Sequence, residues 1–290
     1  MSVSETADGK FAREILTSLG RDLSNITVAE FGAWDGLHKS NIAALVRRHG
    51  AVGVFIEADS RKFSKLSENY EGFDNAILIN SFIQTSGSNT FDSLLARTGV
   101  AKLDFLSVDI DGNDYHVFKS IEQYAPDMLC IEFNPTIPWE SNYAQPDSFA
   151  IGQGSSLRAM KQLLESCGYT FLANNSANGF FLKSDLCTDA VHQIASQYFT
   201  DCVSPKAVEL YVGFDGTVFS NEESLFLNWH KVKIDFASVS PVPKIFRGIP
   251  ESFSRMRKLL FYVWVALKRS DLWSVKEIKK RLPRSKKSVE

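Results

Sequence analysis

Acidic side chains stand where the apolar runs of this chain end. Glu30 comes at the close of the run that starts at Val28, and Glu57 follows Val52-Gly-Val-Phe-Ile56. Asp109 follows Leu103-Asp-Phe-Leu-Ser-Val108, with Asp111 two residues on, and Glu132 follows Met128-Leu-Cys-Ile131. Such carboxylates can complement a cationic group, accept a pair of hydroxyl protons, act as a general base, or hold Mg²⁺ through oxygen ligands. Beside Glu30 the chain turns through Gly32, Ala33 and Gly36, and a helical pattern of Ile42, Leu45 and Val46 begins near Ser40. Glycines there let backbone approach a ligand, and the N–H groups of a helix start would face it. His38 and His116 are the histidines placed to act as bases, although each also reads as an ordinary surface or packed histidine.

The elements that must carry these residues follow from periodicity. Apolar β-rich runs at 28–31, 52–56, 76–79, 103–108 and 128–131 alternate with helical patterns at 40–49, 61–70, 90–95 and 114–124. That alternation predicts a doubly wound, mostly parallel sheet with right-handed crossovers, whose strand C-termini form the ligand edge. A helix over 10–20 precedes it, and a helix over 155–167 follows it. Tyr169-Thr-Phe-Leu172 and Gly179-Phe-Phe-Leu182 then predict an antiparallel hairpin around residues 174–178, giving seven strands. Residues 135–154 carry three prolines and two glycines and read as a long irregular loop of the kind that forms lids or binding loops. Residues 186–240 show a helix near 190–198 and little further pattern. The expected division is a domain over 1–240, a proline-marked linker at 241–250 and a tail at 251–290.

The combination of motifs resembles the class I S-adenosylmethionine-dependent methyltransferases, and within them the FkbM-like branch acting on hydroxyls of sugars and small molecules. Glu30-Phe-Gly-Ala-Trp-Asp-Gly36 resembles their first motif. Thr90-Phe-Asp-Ser-Leu-Leu-Ala-Arg97, Leu103-Asp-Phe-Leu-Ser-Val-Asp-Ile-Asp-Gly112 and Ile131-Glu-Phe-Asn-Pro135 are similar to the FkbM pattern. The resemblance implies a Rossmann-like fold with S-adenosylmethionine held by Glu30, Gly32, Ala33, Gly36, Glu57, Ala58 and Asp109, with Glu57 on the ribose hydroxyls. It implies acceptor contacts at Glu132 and Asn134, and chemistry among Asp109, Asp111, His116 and His38. Trp34, Asp35, Asp111 and Asn113 depart from the usual motif, and no acid follows the third strand near Ser81 and Phe82. Asp109, Asp111 and Glu132 are read first as an electrostatic complement to the cationic cofactor and only second as Mg²⁺ ligands. A methyltransferase fold that has lost catalysis and serves as a scaffold is the alternative from another class. An NAD-dependent Rossmann enzyme is disfavoured by the missing third glycine and by the terminal hairpin.

Composition is that of a globular protein of 290 residues, 44% hydrophobic and 23% charged. Residues 1–10 lack the apolar core of a secretory signal. Cys130, Cys167, Cys187 and Cys202 lack metal-ligand or C-x-x-C spacing, so reduced thiols and a cytoplasmic location are expected. The net charge of −2 conceals a split: from Lys244 onward 14 Lys/Arg stand against 4 Asp/Glu, and the remainder carries 18 against 30. The tail interleaves these bases with apolar residues, Phe253, Met256, Leu260, Val263, Trp264 and Leu267 falling on one helical arc. Its apolar stretch is too short to span a bilayer, which predicts a helix lying on the anionic inner face of a membrane with Trp264 inserted. A helix packed on the domain is the plainer reading, and nucleic acid is a weak third. A glycan or lipid-linked saccharide at the membrane is then the expected acceptor.

Overall fold

The computed structural model describes residues 4–213, 215–222, 225–227 and 232–268. It divides into two compact units, Met1–Pro205 and Lys206–Glu290. In the first, helix α1 (Ala7–Ser18) precedes strand β1 (Thr27–Phe31), α2 (Ala43–His49), β2 (Val52–Glu57) and α3 (Ser60–Asn69). Then come β3 (Ala76–Asn80), α4 (Phe91–Leu95), β4 (Phe105–Val108), α5 (Asp114–Lys119) and β5 (Met128–Glu132). Helix α6 (Leu157–Ser166), the hairpin β6 (Tyr169–Asn174) and β7 (Asn178–Lys183), and α7 (Asp189–Ala195) complete the unit.

The strands form one seven-stranded sheet in the order β3-β2-β1-β4-β5-β7-β6. Strands β1 to β5 are parallel, and β7 runs antiparallel to both β5 and β6. The predicted doubly wound sheet with its terminal hairpin is therefore the fold observed. Central strands are buried on both faces, as parallel strands covered by helices must be. Successive residues feed opposite cores, as the period of two requires. Val28, Phe55, Phe105, Cys130 and Phe180 join α1 and α2 on one side. Ala29, Phe31, Val54, Leu106, Ile131 and Phe181 join α4, α5 and α6 on the other.

Two elements differ from the periodic reading. Helix α5 stops at Lys119 rather than near residue 124, and α2 begins at Ala43 rather than Ser40. Asp92 accounts for the first difference: its carboxylate accepts the N–H groups of Glu122, Gln123 and Tyr124, which draws that segment into a turn.

The second unit starts upstream of the proline-marked stretch. It contains two short antiparallel pairs, β8 (Leu210–Val212) with β9 (Val218–Ser220) and β10 (Leu225–Leu227) with β11 (Val232–Ile234). These fall in residues that showed no period. Three-ten turns lead to α8 (Arg255–Lys268), so the tail is helical where it is described, and Trp273, Val275, Ile278 and the basic run around them lie outside the described residues.

Candidate active site

The turn after β1 is shaped by contact with neighbouring elements. Gly32 has φ +66°, and a Cβ placed there would lie 1.9 Å from the carbonyl oxygen of Asp109. The β1 turn therefore rests directly on the end of β4, and only glycine fits. Gly36, at φ +72°, sits beneath Leu66 and Tyr70 of the α3 segment, and the Tyr70 hydroxyl donates to its carbonyl at 2.8 Å. Ala33 is buried and donates its N–H to Ile56. The open part of the turn is Gly32 with Trp34, which is 44% exposed and itself left-handed at φ 52°.

Glu57 ends β2 almost fully buried, and it is tied to this turn. Its Oε2 accepts the Trp34 N–H at 2.8 Å and its Oε1 accepts the Asp59 N–H at 2.7 Å. Each oxygen keeps a further acceptor direction, so a pair of ligand hydroxyls can still be taken. Ala58 beside it is exposed. Glu30 is different. Ser40 Oγ donates to it at 2.6 Å and Asn41 N at 2.7 Å, and it is sealed from solvent. The backbone donors expected to face a ligand are already engaged: Leu37 and His38 donate to Asp35, Asn41 to Glu30 and Ala43 to Ser40. Glu30 thus seats residues 40–41 rather than lining the open edge. His38 is exposed, its ring edge-on to Trp34 at 5.1 Å, with the Lys62 ammonium 5.0 Å from the Trp34 ring.

At the ends of β4 and β5 three carboxylates converge. The ligand oxygens of Asp109, Asp111 and Glu132 all lie within 4.8 Å of one another. Loss of solvent and then the charge of Asp111 raise the Asp109 carboxyl. Glu132 is pushed up to about 9, by desolvation first and then by the charges of Asp109, Asp114 and Asp111. The hydrogen bond between Asp109 and Glu132 favours the ionised form of Asp109 and the protonated form of Glu132. Asp111 is held in a left-handed conformation, φ 57°. The clamp is Asp114: its two oxygens accept Ile110 N and Gly112 N at 3.0 Å each, bracketing Asp111 from below. The sequence marks Asp114 only as a helix start, because the N–H groups it accepts lie upstream of the helix and carry no residue pattern.

Two buried acids here set a pH dependence. Burial raises Glu30 from 4.5 to about 7, and Asp114 from 3.8 to about 7. Their stabilising protons are fully held below the unfolded values and lost as pH rises through about 7. Unfolding free energy is therefore expected to fall between roughly pH 4.5 and 7, by on the order of 2–3 kcal/mol for Glu30 alone. Urea midpoints across that range check this, with Glu30→Gln flattening the slope; a stability that rises through the window would contradict it.

Residues 135–154 form a loop organised by one buried side chain. Gln145 Nε2 donates to Ser148 O and Ile151 O, and its Oε1 accepts Gln153 N and Gly154 N. Apart from Asn113 Oδ1, 3.3 Å from its Nε2, these partners are backbone atoms, which no residue pattern marks. Asn134 is engaged by the same loop: Oδ1 accepts Thr136 N and Oγ1, and Nδ2 donates to Gln153 O at 2.6 Å. His116 Nε2 donates to Gln145 O at 2.7 Å, which gives its ring a positioning task. Asp147 accepts from Asn113 at 3.0 Å and from Thr85 at 3.2 Å, and Phe149 meets Phe82 edge-on at 4.8 Å, both rings substantially exposed. The loop and the segment after β3 thus cap the β4 turn. Of the sequence candidates, Gly32, Glu57, Asp109, Asp111 and Glu132 share the strand edge. His116 and Asn134 belong to the loop framework, and His38 stands outside on the rim.

Residues 79–171, about a third of the chain, match the family model described as the Methyltransferase FkbM domain. The match runs from β3 into β6 and includes the carboxylate cluster and the Gln145 loop. No curated protein matches the sequence. Among solved structures, the chain is similar to a SAM dependent methyltransferase from Aquifex aeolicus, with 13% identity and a TM-score of 0.37 over 59% of this chain and 87% of that one. M. capricolum TrmK in complex with S-adenosyl-homocysteine gives 12% and 0.35 over 57% and 66%. The N-terminal domain of EvdMO1 with SAH bound gives 12% and 0.41 over 62% and 80%. Likenesses this distant add nothing to the strand order, which stands by itself. Residues 79–171 thus match an FkbM methyltransferase domain, set within a Rossmann-like sheet of order β3-β2-β1-β4-β5-β7-β6.

Proposed function

We propose that this chain transfers a methyl group from S-adenosylmethionine to a hydroxyl oxygen, with a sugar of a glycan or lipid-linked saccharide as the acceptor. The observation that carries the reading is the junction of Gly32 with Asp109, which sets the open turn beside the carboxylate cluster inside the matched domain. When bound, S-adenosylmethionine supplies a methyl group on a cationic sulfonium. Glu57 accepts two hydroxyls through the directions its backbone donors leave free. Asp109 and Asp111 supply the negative field that favours a cationic ligand over a neutral one, with Glu132 beside them. Asp111, exposed and unclamped at its carboxylate, is placed to take the acceptor's proton, and the exposed Phe82–Phe149 pair offers an apolar wall on the same rim. Sugar as the acceptor class is supported by the FkbM resemblance.

A second reading follows from the cluster itself. Three carboxylates whose oxygens lie within 4.8 Å suit a divalent cation, and such an ion would orient the acceptor hydroxyl and lower its pKa. Calorimetry with S-adenosylhomocysteine, followed by methyl transfer to a panel of saccharides with and without chelator, separates the readings. Micromolar binding and chelator-resistant turnover are expected. Activity lost to chelator and restored by Mg²⁺ makes the cluster a metal site. Absence of S-adenosylhomocysteine binding sinks the enzyme in favour of a scaffold, and binding of NAD in its place would favour the dehydrogenase alternative.

A further inference from the structure

We infer that the second unit docks on an anionic lipid bilayer through an aliphatic stripe of α8, with its aromatic residues facing inward. The helix has two unlike faces. Phe261 and Trp264 pack on Phe246, with ring centroids 5.9 and 5.6 Å away, and Phe253 meets Phe261 at 5.7 Å. The Arg257 guanidinium lies 3.9 Å from the Phe253 ring and donates to the carbonyls of Ile245 and Arg247. That face is therefore engaged within the unit, and Trp264, expected from sequence to insert, is half-buried in it.

Met256, Leu259, Leu260, Val263 and Leu267 recur at steps of three and four and stand 41–79% exposed. Ile245 and Ile249, in the turns before the helix, are exposed as well. An aliphatic stripe of this size left in water is unfavourable unless something covers it.

Charge decides the occupant. Residues 255–268 contain Arg255, Arg257, Lys258 and Lys268 and no acid. From Lys244 onward the sequence carries 14 basic against 4 acidic residues. Two identical copies of such a surface repel each other, whereas anionic headgroups attract it while the stripe enters the acyl boundary. The apolar run Leu259–Leu267, bounded by Lys258 and Lys268, holds nine residues or roughly 14 Å of helix, short of the ~30 Å hydrocarbon core, so it lies along the surface. Among the described residues no helix is long and apolar enough to cross a membrane.

Co-sedimentation of the full chain tests this with phosphatidylcholine vesicles, with and without phosphatidylserine. Binding is expected only when phosphatidylserine is present and is expected to weaken with added salt. The double variant Leu260→Ser/Val263→Ser, at exposed positions outside the packed face, should lose at least ~10-fold in partitioning. Its S-adenosylhomocysteine affinity, measured in parallel, should be unchanged, so failure here is distinct from failure of the methyltransferase reading. Equal sedimentation of variant and parent overturns the stripe as the anchor, as does a parent chain that ignores anionic vesicles. Light scattering that finds a dimer in the parent and a monomer in the variant, without vesicle binding, overturns the lipid and makes a second copy the occupant.

Discussion

Asp109→Asn is expected to lower the methyl-transfer rate by ~100-fold or more while leaving the protein as stable as before, or more so. The charge of Asp111 raises the Asp109 carboxyl, and the charges of Asp109 and Asp111 raise Glu132, so deleting one charge relieves repulsion. The Asp109 carbonyl, which Gly32 packs against, is untouched by the change. Asp111→Asn should behave the same way, because Asp114 clamps backbone and not the Asp111 side chain. Steady-state turnover at saturating cofactor, beside a thermal midpoint for each variant, checks both halves. Wild-type rates in the two variants would place the chemistry elsewhere, and a large fall in the midpoint would show that the cluster supports the fold.

Glu57→Ala should fail in the opposite manner, losing ligand affinity and stability together. Its carboxylate is the acceptor for Trp34 N and Asp59 N, so truncation leaves two backbone donors without it. Both donors are part-buried, so each costs less than the about 1–3 kcal/mol of a fully buried donor left unsatisfied. The hydrogen bonds proposed to the ligand hydroxyls are charge-assisted, and their loss should weaken S-adenosylhomocysteine binding by ~10–100-fold, about 1.5–3 kcal/mol. Glu57→Gln sharpens the test, since it keeps one acceptor but turns an N–H group toward one of the backbone donors. Calorimetry on variants first shown by circular dichroism to be folded is the measurement. Unchanged affinity in a folded Glu57 variant would remove it from the site.

Strand ends and the hairpin were legible in the sequence because both follow from local periods. Apolar runs of four to six residues capped by an acid give the sheet edge, and they brought Asp109, Asp111 and Glu132 to one place. What stayed hidden depends on partners without a pattern. Glu30 looked like its neighbours at the strand ends, yet Ser40 and Asn41 turn its carboxylate inward. Asp114 and Gln145 act on backbone atoms, which every residue has, so nothing in the sequence marks the recipients. The α8 arc was visible, but which half of it packs is decided by Phe246, outside the helix. The pairs β8–β9 and β10–β11 use strands of three residues, too short for alternation to register.

Because Gln145 holds its loop through main-chain atoms of residues 148, 151, 153 and 154, the loop's shape is separated from most of its own wording. Side chains such as Gln153 can be exchanged without removing these bonds, whereas the amide at position 145 makes four of them at once. A lineage could therefore change the surface this loop presents by spelling those positions differently. A protein engineer can do the same with a small library confined to 148–153, keeping Gln145 as the fixed key.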